Sequence, residues 1–110
     1  MKNIANTNQS LLKAQLSNLP SPAWVLEESL LLRNLAILDE VQKKSGAKIL
    51  LALKGYALWA SFPLLQNTLH GCCASGLHEA KLAAEHFGGE VHTYSPAFKE
   101  EEIEIGRAHV

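Results

Sequence analysis

The usual carriers of chemistry are scarce in this chain. Its 110 residues hold two cysteines, and these are adjacent, Cys72 and Cys73. A bridge between neighbours is strained, which argues against a secreted disulfide framework. The pair also lacks the C-x-x-C spacing of zinc and redox sites, so small buried strand residues are the simpler reading. There is no G-x-G-x-x-G, no Walker loop and no H-E-x-x-H. Neither sign of charge dominates: ten basic against eleven acidic residues leave no basic stripe for nucleic acid and no acidic tail. No apolar run reaches the length of a membrane span, and the opening Met1-Lys2-Asn3-Ile4-Ala5-Asn6 lacks a signal-peptide core. We therefore expect a cytoplasmic protein with neither nucleic acid nor membrane as partner. A composition 47% apolar and 19% charged suits one soluble domain.

Against this plain background one stretch stands out, Ile49-Leu50-Leu51-Ala52-Leu53-Lys54-Gly55-Tyr56. An unbroken apolar run flanked by glycines reads as a strand buried on both faces, as in parallel sheets and barrels. Lysine is almost never fully buried without a partner. At the C-terminal end of a parallel strand, Lys54 stands where β/α folds place their chemistry. A desolvated amine there can form a Schiff base with a carbonyl. A lysine snorkelling to water from a strand end is the competing reading.

Around that strand the pattern alternates. Met1 to Gln9 is polar and expected to fray, and Leu11, Leu12, Leu16 and Leu19 form a helical stripe behind Ser10 as cap. Pro20 and Pro22 stop it, and Ala23–Leu26 reads as a short strand. Ser29 to Lys44 is helical, with Leu31, Leu35, Leu38 and Val41 or Gln42 inward and Gly46 as terminator. After the Lys54 strand come a helix broken or delayed by Pro63, a strand Gly71–Ala74, and a helix opened by Ser75-Gly76. That helix would face inward through Leu77, Ala80, Ala84 and Phe87. Val91–Tyr94 is a third strand, and Lys99 with three glutamates begins another helix. The β-α-β-α-β-α order predicts an α/β fold with a parallel sheet, open or barrel.

The five histidines do not cluster: His78 and His86 are eight residues apart on one helix and read as solvated. Glu100-Glu101-Glu102 is a first helical turn favoured by the dipole. From the residues alone, only Lys54 is a candidate for chemistry.

Family resemblance adds to this. Ala52-Leu53-Lys54-Gly55-Tyr56 resembles the A-x-K motif on the first barrel strand of the pyridoxal-phosphate decarboxylases related to alanine racemase. Leu51–Lys54 followed by Leu58-Trp59 and Phe62-Pro63-Leu64 resembles the carboxynorspermidine (carboxyspermidine) decarboxylases more closely. Ser21–Val25, Ala74-Ser75 with Glu79-Ala80, and Glu90–Lys99 fit the same family in register. The resemblance implies the N-terminal part of a (β/α)8 TIM-type barrel, with a β-sandwich domain and a homodimer in the full-length parent. It implies pyridoxal 5'-phosphate as cofactor and a carboxylated polyamine as substrate. Lys54 would hold the cofactor and Ala52 would be small so that its ring can lie against the strand; the ring takes up the electrons left when carbon dioxide departs. Relatives acting on ornithine or diaminopimelate often carry an acidic residue on the second strand, where this chain is expected to place Cys72. Diaminopimelate- or ornithine-type decarboxylases, and a non-catalytic pyridoxal-phosphate carrier, are the alternatives. No metal is implied.

Three regions follow: an N-terminal extension over residues 1–19, the cofactor-binding part over 20–104, and a tail over 105–110. The tail Ile105-Gly106-Arg107-Ala108-His109-Val110 resembles the translation of a common sequencing-library adapter, ATC GGA AGA GCA CAC GTC. We therefore expect the native chain to be truncated near Glu104, after about three β/α units of a barrel that needs on the order of 250 residues. Such a piece is expected to be inactive alone.

Overall fold

A computed structural model describes the main chain of residues 2–108 and the side chains of residues 9–105. Three strands carry the architecture: β1 (Leu50–Ala52), β2 (Gly71–Ala74) and β3 (Glu90–Thr93), parallel and side by side in chain order. The register aligns Leu50 with Gly71 and Glu90, and Ala52 with Cys73 and His92. Main-chain bonds from His70 N to Ile49 O (3.0 Å) and from Leu53 N to Cys73 O (3.1 Å) extend the β1 ladder over the whole expected strand, residues 49–53. The parallel α/β arrangement read from the sequence is thus present.

The helices are α1 (Lys2–Leu16), α2 (Glu28–Ser45), α3 (Phe62–Leu65), α4 (Leu77–Leu82) and α5 (Glu100–Ala108). Gly46 closes α2 at φ 74°, its N–H on Gln42 O at 2.9 Å, as expected of a left-handed terminator. Pro63 sits in the first turn of α3, where its missing N–H costs nothing, so the helix starts late behind a 3-10 turn at Trp59–Ser61. Glu79 reaches back to the Ser75 N–H at 2.7 Å, and Glu102 to the Lys99 N–H at 2.8 Å. Carboxylates there satisfy main-chain donors that the first turn leaves free.

One side of the sheet holds the core. Leu35 of α2, Leu53, Phe62 and Leu65 of α3, Leu69, Cys72 of β2, Ala83 and Phe87 form one buried cluster, with Ile49, Leu51 and Val91 packed against it. The Phe62 and Phe87 rings meet edge to face at 5.3 Å. Gln42 is also buried. Its Nε2 donates to Thr68 O at 2.9 Å and its Oε1 accepts from Ile49 N at 2.9 Å, so one amide ties α2 to the approaches of β1 and β2. This settles the inward residue between Val41 and Gln42 in favour of the glutamine.

Four expectations need correction. Helix α1 begins at Lys2, so Ser10 lies inside it and caps nothing, and residues 2–9 are helical rather than frayed; no glycine or proline interrupts the chain before Pro20. Ala23–Leu26 forms no strand, because no ladder partner lies beside it, and Trp24 is fully exposed. Helix α4 passes into a π-type turn at Ala83–Phe87, which shifts the inward face from Ala84 to Ala83. The fourth is Cys73, expected to be buried with Cys72 and found exposed. Of the expected tail, Ile105 to Ala108 continue α5 and residues 109–110 lie outside the described residues, as does Met1.

Candidate active site

Side chains alternate across a strand, and here the alternation separates structure from chemistry. In β1 and its extension the odd residues Ile49, Leu51 and Leu53 face the helices. Ala52 and Lys54 are exposed on the opposite face. The same face carries Cys73 and His92, which the register places in one row with Ala52.

Directly after β1 the chain turns tightly, with Gly55 N and Tyr56 N both bonded to Ala52 O at 3.0 and 3.2 Å. Lys54 sits within this turn, its amine side chain exposed at the C-terminal rim of the sheet. Tyr56 packs on the core, and its hydroxyl lies 2.6 Å from Ser61 Oγ. Beside the turn, Trp24, Val25 and Leu26 bound an apolar cavity of about 550 Å³ together with Gly55–Leu58. Lys54 is thus exposed in the turn that ends β1, and Ala52, two residues earlier, is exposed as well.

Cys72 does not share that face. It is fully buried among the core residues, and burial first, then the neighbouring Cys73, pushes its thiol up to about 11. The β2 residue beside Ala52 is Cys73, which is exposed. Two like residues in a row do not show which of them faces the helices, and one residue reverses the face.

At the other end of the exposed face lies a cluster that the sequence reading missed. Lys48 Nζ is 2.6 Å from Glu90 Oε1, and Glu90 Oε2 is 3.1 Å from His92 Nε2. The Lys48 hydrogen bond, more than that of His92, holds the Glu90 carboxyl below its usual range. The pair reaches from the approach to β1 across to β3. A Cβ on Gly71 would collide with the Glu90 carbonyl, and one on Gly89 with the His70 carbonyl. The register aligns Glu90 with Leu50, two residues after Lys48, so only their shared parity could have signalled this contact. His86 is partly exposed with its ring edge on Trp59 at 5.2 Å, and His78 is exposed. Among the described residues no group of three or more His, Cys, Asp and Glu side chains could hold a metal ion, and no helix is long and apolar enough to cross a membrane.

No family model matches the chain. Individual proteins do. A carboxyaminopropylagmatine decarboxylase of a Synechocystis species is 51% identical over 89 residues, 81% of this chain and 23% of that protein. A carboxynorspermidine/carboxyspermidine decarboxylase of Herminiimonas arsenicoxydans is 47% identical over 89 residues, 81% of this chain and 24% of that one. Its counterpart from Campylobacter jejuni is 53% identical over 83 residues, 76% of this chain and 22% of that one. The crystal structure of Campylobacter jejuni carboxynorspermidine decarboxylase complexed with norspermidine is similar at a TM-score of 0.75 and 52% identity. That match covers 79% of this chain and 24% of the crystallised one.

By sequence and by fold, the chain is related to the carboxynorspermidine/carboxyspermidine decarboxylases. It spans about a quarter of the length of these decarboxylases. The strand motif and the blocks that match it in register were thus sufficient to place the chain beside the carboxynorspermidine/carboxyspermidine decarboxylases without any complete signature of a site.

Proposed function

We propose that this chain is part of a pyridoxal-phosphate-dependent carboxy-lyase that decarboxylates carboxynorspermidine or carboxyspermidine in polyamine biosynthesis, and that its β/α units are the N-terminal part of a (β/α)8 barrel. The observation that carries the reading is the exposed amine of Lys54 in the turn closing β1, in a chain about half identical to named decarboxylases. One of these relatives is named for carboxyaminopropylagmatine, so the substrate class is a carboxylated polyamine or its agmatine analogue.

The residues present fit the cofactor. Covalent attachment of an aldehyde needs an accessible primary amine on a rigid support, and Lys54 has both, its turn being bonded back to Ala52 O. A planar ring needs a small side chain beneath it, and Ala52 is the neighbour on that face. Lys54 Nζ would hold pyridoxal phosphate, and Ala52 would leave room for its ring. When bound, the cofactor supplies an electron sink for the carbanion left as carbon dioxide departs. Lys54 Nζ, when not engaged with the cofactor, would stand at the rim as a proton carrier for the product. Further site residues would come from the rest of the protein, in a cytoplasmic homodimer.

The test uses the full-length protein loaded with pyridoxal phosphate and reduced with borohydride. Mass spectrometry of the proteolytic peptides is expected to find the cofactor fixed on Lys54. Lys54→Ala is expected to lose both the label and nearly all turnover. A label on another lysine, or an unchanged visible band in Lys54→Ala, would refute the assignment. Loss of carbon dioxide from carboxynorspermidine, and not from ornithine or diaminopimelate, separates this reading from the other decarboxylases. A labelled protein without any such activity would instead be a cofactor carrier.

A further inference from the structure

The Lys54 turn is tied at both ends, and by different means. At its start the tie is main-chain, through the two bonds onto Ala52 O. At its far end the tie is a pair of hydroxyls. Ser61 Oγ donates its single proton to Leu58 O at 2.6 Å. Tyr56 Oη, at 2.6 Å from the same Oγ, must therefore be the donor of the second bond. Ser61 is buried and Tyr56 half-buried. The tyrosine ring rests on the core cluster that also holds Leu53. Lys54 lies between the two ties, with only its side chain free.

We propose that the Tyr56–Ser61 hydroxyl pair is a positioning element for Lys54, fixing the turn so that the amine meets an aldehyde cofactor from one direction. The inference rests on the cofactor reading given above. Neither hydroxyl touches the reacting atoms; both act through the turn. A lysine has many rotamers, and an amine on a mobile turn would sample a large volume at the sheet rim. Holding the backbone leaves only the side-chain torsions to be ordered when the cofactor attaches, and restricting that search is worth rate.

Tyr56→Phe and Ser61→Ala each remove one oxygen and leave the ring and the helix start in place. Apo full-length protein of each, and of the double variant, is mixed with pyridoxal phosphate and trapped with borohydride at intervals. Tyr56→Phe is expected to attach the cofactor at Lys54 about fivefold more slowly, the size of one net hydrogen bond, and Ser61→Ala, which also loses the bond to Leu58 O, at least as slowly. The double variant is expected to be no slower than Ser61→Ala alone, since that variant already removes the bond that Tyr56→Phe removes. The midpoint of the visible absorbance of the bound cofactor against pH is expected to shift with the rate, a change that lost packing alone would not give. Variants that lose thermal stability but keep the wild-type attachment rate and midpoint would overturn the proposal, as would additive effects in the double variant. If wild-type protein takes no label at Lys54, the cofactor reading itself fails and this inference falls with it. A labelled wild type with unaffected variants sinks this inference alone.

Discussion

Replacing Gln42 by leucine is the sharpest test of how the helix layer is fixed to the sheet. An apolar face of α2 at that position invites leucine, which helix propensity and burial both favour. The structure argues the opposite. Gln42 is 7% exposed and makes two bonds of 2.9 Å, one to Thr68 O and one from Ile49 N. Leucine would strand both main-chain groups. An orphaned buried polar group costs about 1–3 kcal/mol, and both partners are only half-buried, so water relieves part of it. Leucine's own transfer returns about 1 kcal/mol or more. The net loss expected is about 1–4 kcal/mol. The control is the adjacent Val41, 48% exposed, where Val41→Leu should stay within about 0.5 kcal/mol of wild type. Urea unfolding of the full-length protein gives both numbers, and amide exchange at Ile49 reports the bond itself. A Gln42→Leu protein as stable as wild type, with Ile49 still protected, would show that the amide bracket contributes nothing.

Three further outcomes are expected. Ala52→Leu should leave the fold intact, because residue 52 is exposed, but should cost about 1–3 kcal/mol of cofactor affinity if its face is the ring's bed; an unchanged pyridoxal-phosphate titration would refute that. Glu90 has a folded pKa held below its usual 4.5 by Lys48 and His92. Its contribution to stability is therefore present above that value and lost as pH falls through the lower folded pKa; melting temperature against pH should show this loss in wild type and not in Glu90→Gln, and identical acid profiles would refute it. Residues 1–110 expressed alone should associate, because both outer edges of the sheet are unpaired among the described residues and Trp24, Val25, Leu58 and Trp59 are exposed. The radius of gyration, 17.7 Å against about 13 Å for a compact domain near this length, points the same way; a monodisperse monomer with a cooperative melt and stoichiometric pyridoxal phosphate would overturn it.

Much of the fold was legible because its signals are local. A continuous apolar run, glycine at a helix end and proline in a first turn each have one physical reading, and β1, α2, α3 and β2 followed from them. What escaped depends on partners distant in the chain. Ala23–Leu26 has strand-like residues, yet a strand exists only where a neighbour offers a ladder. The π-type turn at Ala83–Phe87 comes from fitting one helix over β2 and α3, and nothing in Leu-Ala-Ala-Glu-His-Phe announces it. Gln42 was ambiguous with Val41 because hydropathy alone does not reveal that a glutamine will find two main-chain partners.

The exposure of Ala52 and Lys54 beside a buried strand was legible for a different reason. Where helices cover one face of a parallel sheet, apolar residues must fill that face, and anything else on it is costly. Ile49, Leu51 and Leu53 meet this demand in β1, which leaves the even positions unconstrained by the core. A lysine is tolerated at residue 54 because the turn leaves it exposed, outside the buried cluster that holds Leu53, Phe62 and Phe87. The same parity makes Ala52 its companion, and through the register it selects Cys73 over Cys72. In Cys72-Cys73 the two faces carry the same side chain, so the sequence has no contrast from which to read parity. At Leu53-Lys54 the contrast is maximal. Shifting β1 by one residue would bury the Lys54 ammonium against the aromatic core and expose Leu53, costing several kcal/mol for the charge alone. That asymmetry fixes which of the two residues is buried and which is exposed, and it does so before any cofactor or partner is present.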